Sequence, residues 1–206
     1  METAAEGPVP FFFGGRLCLD FVNTVNSRSR PATRDYLPDW QALIGWCGQT
    51  ALFDNTILKR LQAQAASAPR RAEEAHAAAL ALREGLYRIF RNVIDRASPR
   101  GEDMDLLNRC LRNARARQVL AAAGTDFFWG WDEARLDLDS PLHAVALSAG
   151  SLLAEDELAR LKECPGPEGC GWLFYDETKN ASRRWCSMAH CGGAAKARRY
   201  AARHGA

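Results

Sequence analysis

Four of the seven cysteines, Cys164, Cys170, Cys186 and Cys191, fall within 28 residues. Five residues separate the first two, four separate the last two, and fifteen lie between the pairs. Thiols clustered in this way could form disulfides, run redox chemistry or hold a metal. Disulfides do not suit the reducing compartment expected below. Redox centres favour a C-x-x-C pair at a helix start, and neither pair has that spacing. Two close pairs joined by an insert are what a tetrahedral Zn²⁺ requires, since each pair makes a tight knuckle and the insert brings the chain back. The expectation is one zinc ion held by Cys164, Cys170, Cys186 and Cys191. With four protein ligands it leaves no position for a water and is structural. His190 stands directly before Cys191; adjacent residues seldom point at one ion, so it is expected outside the ligand set.

The segment behind the second pair is small and basic. Residues 164–206 carry seven Lys/Arg against three Asp/Glu, whereas residues 1–163 carry twenty against twenty-two. The alanine-rich stretch "AAKARRYAARH" favours helix. Lys196, Arg199 and Arg203 recur at i, i+3 and i+7, with Arg198 beside them. Together with Arg183 and Arg184 they are candidate phosphate contacts for DNA. The competing reading pairs these arginines with the acidic body or leaves them as a solvated face. Phosphate contacts carry no sequence information, so no operator follows from them. A third polar set, Asp20, Asn23 and Thr24, shares one face of the segment "RLCLDFVNTVNSR". It is a candidate lining for a small-molecule effector site, the alternative being internal hydrogen bonds.

Cys18, Phe21, Val22 and Val25 lie at i, i+3, i+4 and i+7, which predicts an amphipathic helix near the start; Leu17, Leu19 and Phe21 also alternate, leaving a short strand entry open. Residues 27–38 read as a loop. Asp39 is the expected N-cap of the next helix, followed by one near Asn55–Ala66 and a long one near Arg71–Arg96. "MDLLNRCLRNARA" continues as helix, and "VLAAAGTDFFWGW" predicts a hairpin. Ser140-Pro141 opens an apolar helix with Ser140 as cap. "EDELARLKE" reads as a short helix or turn into Cys164. "PGPEG" is a turn by composition, "GWLFYD" a strand, and Gly192-Gly193 the bend into the basic helix. The fold class is therefore mainly α: a multihelical N-terminal domain with a small β-hairpin, then a C-terminal treble-clef-like four-cysteine zinc module. The domains are placed at 11–155 and 156–206, packed together for want of any low-complexity linker. Cys18, Cys47 and Cys110 are expected in the core.

Composition limits the alternatives. No stretch approaches the roughly 18 apolar residues of a membrane span, and the N-terminus lacks the basic region of a secretory signal. The chain is expected to be cytoplasmic, away from membranes. An enzyme finds little support: there is no nucleophile–base pairing, phosphate loop or open metal motif, and only four histidines are present.

The residues "CGWLFYDETKNASRRWCSMAHCGG" with the following basic stretch resemble the CGNR zinc finger, over about residues 158–203. "GGRLCLDFVNTV" and "LREGLYRIF" resemble the ABATE domain that usually precedes it, over about 11–155. The resemblance implies a bacterial stress-induced transcription regulator, with a helical domain as sensor or ligand-binding unit and a finger that binds DNA. The chain departs from the family where Cys-Gly-Asn-Arg is expected, carrying Gly193-Ala194 in place of Asn-Arg. A different class of function, protein interaction or oligomerisation, would use a surface around Trp172, Tyr175 and Tyr200. The sequence leaves the oligomeric state open.

Overall fold

The computed structural model describes residues 11–26, 28, 34–166 and 170–204. Short polar caps start the early helices. After the short α1 (Leu17–Val22), Asp39 accepts from Ala42 N at the start of α2 (Trp40–Gln49), and Asp54 accepts from Thr56 N and Ile57 N at the start of α3 (Asn55–Ser67). The long α4 (Pro69–Ile94) begins two residues earlier than its apolar stripe indicates. Proline is well placed there, because a first-turn residue needs no backbone donor. Then come α5 (Gly101–Arg115), the antiparallel hairpin β1 (Gln118–Ala123) and β2 (Asp126–Trp131), and α6 (Ser140–Ala154). Ser140 is not the cap of α6: Asp139 holds that position, and the Ser140 hydroxyl accepts from Asp137 N instead.

The first helix, α1 (Leu17–Val22), is much shorter than its periodicity predicts. The Thr24 hydroxyl bonds back to Phe21 O, Val25 bridges Asp35, and Asn26 N reaches Arg34 O, so the chain leaves the helical path after Val22. Ser27 and most of the expected loop after it lie outside the described residues.

These helices enclose one apolar core in which Phe21, Trp46, Leu82, Leu86, Phe90 and Val145 are almost wholly buried. Cys18 and Cys47 are buried in it and Cys110 packs against it. Burial pushes the Cys18 thiol up to about 12, and the Cys47 and Cys110 thiols upward as well, so these three are inert packing groups.

"EDELARLKE" does not continue as helix. A single 3₁₀ turn at Leu158–Arg160 leads into β3 (Leu161–Glu163), which pairs antiparallel with β4 (Leu173–Tyr175). Strand pairing with the aromatic segment overrides the helical propensity of this short stretch. The expected alternation in "WLFY" is observed and joins two cores. Leu173 and Tyr175 face the helical body, while Trp172 and Phe174 face Cys164 and Cys186. The last helix, α7 (Gly193–His204), leaves the cysteine cluster and buries none of its residues.

Candidate metal centre and nucleic-acid surface

The order β3, Cys164, Cys170, β4, Cys186, Cys191, α7 positions the four cysteines. Cys164 N donates to Trp172 O and Gly171 N to Cys164 O, closing the first knuckle just before β4. Gly171 has φ +67°, and Gly166 approaches Cys170 so closely that a Cβ would collide with its side chain. The rest of the expected turn, residues 167–169, lies outside the described residues. In the second knuckle Gly192 N donates to Ser187 O. A Cβ on Gly192 would lie 2.6 Å from Met188 Sδ, so glycine is required there by close packing.

All four Sγ atoms lie within 4.8 Å of one another. Cys170 and Cys186 are 3.8 Å apart and Cys186 and Cys191 3.6 Å. Disulfide sulfurs sit about 2.05 Å apart, whereas thiolates about 2.3 Å from a shared tetrahedral zinc are separated by ~3.8 Å. The donor set thus fits one zinc ion. Hydrogen bonds from the Cys170 and Cys186 thiols pull the Cys164 pKa down; the same contacts with Cys164 push Cys170 and Cys186 up, and burial raises Cys191. Four thiolates this close need a dication to ionise together. His190 is exposed, its ring 4.1 Å from that of Phe11 and 5.4 Å from that of Phe13, outside the cluster.

Asp176, which follows β4, organises the loop between the knuckles and was not singled out from the sequence. It is fully buried and accepts from Lys162 Nζ at 2.7 Å, Thr178 Oγ1 at 2.6 Å, Thr178 N at 3.0 Å and Arg183 N at 2.8 Å. Burial opposes its ionisation, but the Lys162 ammonium and the other donors outweigh it and hold the carboxyl below the ordinary range. A depressed carboxyl stabilises the fold fully above its unfolded value, about 3.9, and that contribution is lost as pH falls through the folded value. Asp176→Asn turns an amide donor toward groups that all donate. It is expected to lower the melting temperature at pH 7 and speed proteolysis of the 176–186 loop; an unchanged melt would show that the four contacts contribute nothing.

The structure redistributes the other sequence-predicted residues. Arg183 is not a surface cation. Its guanidinium lies 4.5 Å over the Phe174 ring and donates to Phe13 O, Trp185 O, Tyr175 O and Cys186 O. A guanidinium with five N–H groups suits such a cluster of carbonyls. Arg184 is exposed, 6.0 Å from the Trp185 ring. Lys196, Arg198, Arg199 and Arg203 are exposed along α7.

The polar groups of Asp20, Asn23 and Thr24 face protein partners. Asp20 accepts from Gly14 N at 2.7 Å, and burial pushes its pKa up to about 6 against the pull of that N–H and Arg183. Asn23 donates from Nδ2 to Leu173 O at 2.8 Å and accepts from Leu173 N at 2.9 Å. Thr24 donates to Phe21 O and receives Arg83 Nη1 at 3.3 Å. The finger is fastened further by Trp172 Nε1 to Val25 O at 2.9 Å and Tyr175 N to Gly14 O at 2.8 Å, and by the Arg91–Glu163 ion pair. Trp172 and Tyr175 are therefore buried at 5% and 6% exposure, which removes them from any self-association surface; Tyr200 stays exposed, its ring 4.4 Å from that of His204 and tilted 45° to it.

Residues 15–156 match the ABATE family, described as "Putative stress-induced transcription regulator", and residues 160–204 match the family described as "CGNR zinc finger". Neither description is of an enzyme. No curated protein matches the chain significantly.

Proposed function

We propose, from the premise that the chain belongs to the ABATE family and ends in a CGNR zinc finger, that it regulates transcription by binding DNA through α7. The observation that carries this reading is the helix itself. All of α7 is solvent-facing or nearly so, and Lys196, Arg199 and Arg203 occupy one face of it, directly behind the knuckle that holds Cys191. Twelve residues without a buried face form a marginal helix in water. A helix kept at the end of a metal-stapled module, with cations aligned on one side, suits a polyanion that completes its environment. Arg198 lies on another side of α7, Arg184 is exposed ahead of the knuckle, and Arg183 holds the loop between the two cysteine pairs. A finger of this kind acts on the chromosome in the cytoplasm, where thiols stay reduced and available to zinc.

Replacement of Asn-Arg by Gly193-Ala194 does not remove this surface. A Cβ on Gly193 would only reach ordinary contact with Met188 O, and Ala194 is exposed. The missing arginine would have stood beside Arg198, away from the Lys196/Arg203 side, so it subtracts one cation and no packing. No effector role is assigned to Asp20, Asn23 or Thr24: Gly14 N bonds Asp20, the finger's Leu173 takes the Asn23 amide, and Phe21 O and Arg83 take the Thr24 hydroxyl.

Fluorescence anisotropy on genomic DNA fragments tests the reading. The wild-type protein is expected to bind at low salt with a steep salt dependence. Substituting Lys196, Arg199 and Arg203 together with alanine is expected to weaken binding on all fragments and reduce the salt slope by about three, one for each cation lost. Absence of binding at low salt, or affinity unchanged in the triple variant, refutes the proposal.

A further inference from the structure

The hairpin formed by β1 and β2 protrudes from the helical body. Every residue from Val119 to Trp129 is exposed except Ala121, which is half-buried. Its large side chains are apolar: Leu120 is 61% exposed, Phe127 70%, Phe128 51% and Trp129 67%. The register places Leu120 opposite Trp129 and Ala122 opposite Phe127, so these form one continuous face, while Phe128 projects from the other. Among the described residues the sheet has two strands, and neither outer edge has a backbone partner. At its base the hairpin is tied down, where Asp132 N donates to Arg117 O and Trp131 lies near buried His143.

A two-stranded hairpin is marginal in water by itself, and an edge bordered by large apolar groups is a template for further pairing. We infer that this hairpin is the self-association element of the protein, docking on the hairpin of a second copy. Three observations select a second copy over other occupants. The Leu120/Phe127/Trp129 face exposes on the order of 400 Å² of apolar side chain per chain, so two copies together remove roughly 800 Å², the size of a weak, concentration-dependent interface. Asp126 is the only charged residue from Gln118 to Trp131, which gives neither a nucleic acid nor a charged protein an electrostatic foothold. An apolar face is complementary to itself under a two-fold axis: the Leu120/Phe127/Trp129 face of one hairpin packs on the same face of its copy. The arrangement also carries two basic helices on one assembly.

Sedimentation velocity over a dilution series, at low micromolar to about 100 µM, tests this with no DNA present, so its result is separate from the fate of the DNA reading. Wild-type protein is expected to run at twice the chain mass. Trp129→Glu, which sets two like charges against each other across the axis, is expected to run as a monomer with unchanged far-ultraviolet circular dichroism, its dissociation midpoint moved up at least tenfold. A second variant, with residues 119–130 replaced by a short glycine-rich turn, decides the matter where Trp129→Glu fails to fold. A monomeric wild type, or a folded hairpin variant that stays dimeric, overturns the inference. So does a monomeric wild type that sediments with phosphatidylcholine vesicles through Trp129, since the occupant would then be a lipid surface.

Discussion

Stripped of zinc by a strong chelator, or carrying Cys186→Ser, the protein is expected to lose the finger while keeping the helical body. Cys186 is 2% exposed and its sulfur is 3.8 Å from Cys170 and 3.6 Å from Cys191, so it is central to the cluster. The apolar cluster around it holds little besides Trp172 and Phe174. Structural zinc contributes an apparent ~10–16 kcal/mol to folding in small finger modules, far more than that cluster can replace. Without the ion the thiols separate, the Met188–Gly192 turn opens, and α7 has no base on which to form, since none of its residues is buried. Circular dichroism is expected to lose the signal of those 12 residues, DNA binding is expected to vanish, and the main melting transition is expected to persist, because the body core is built from other side chains. Elemental analysis is expected to find one zinc per wild-type chain. Identical melts and helix content with and without metal would mean that the four cysteines are ordinary buried thiols.

Asn23→Ala is expected to have the largest effect of any change outside the metal centre. The Asn23 amide is 2% exposed and satisfies both backbone groups of Leu173, which is itself fully buried in β4. Truncation leaves a buried N–H and a buried C=O without partners, at about 1–3 kcal/mol each. The total, about 2–6 kcal/mol, corresponds to roughly 4–24 °C in melting temperature for a chain of this size. Because the four cysteines are untouched, zinc content is expected to stay near one per chain while hydrogen exchange at Leu173–Tyr175 rises sharply. Loss of zinc in parallel with docking, or exchange no faster than in the wild type, would contradict the role assigned to Asn23.

These two expectations differ in how far the sequence alone could carry them. The cysteine pairs, the alternation in "WLFY" and the basic spacing along α7 are visible in the chain because each is a local property. A knuckle closes within six residues, a strand alternates with period two, and a helical face repeats within eight. The hairpin was legible for the same reason, through a glycine turn between two runs of bulky residues. Its exposure was not, since aromatic residues in a strand ordinarily indicate burial, and only the surrounding elements determine which faces they cover.

The polar residues of the N-terminal segment show where local evidence stops. Asp20, Asn23 and Thr24 read equally well as a ligand-lining stripe or as internal hydrogen bonds, and the deciding partner of Asn23 lies 150 positions away. Arg183 sits among basic neighbours in the sequence, yet one of its acceptors, Phe13 O, is 170 positions distant. Asp176 looks like any acidic residue after a strand until Lys162 and the Arg183 peptide converge on it. The sequence by itself determined which groups could hold a metal and which could face a phosphate, because spacing along the chain sets those geometries. The tertiary structure decided which polar groups are used to join finger to body, because a buried donor or acceptor takes the partner that packing brings within about 3 Å, wherever that partner lies in the chain.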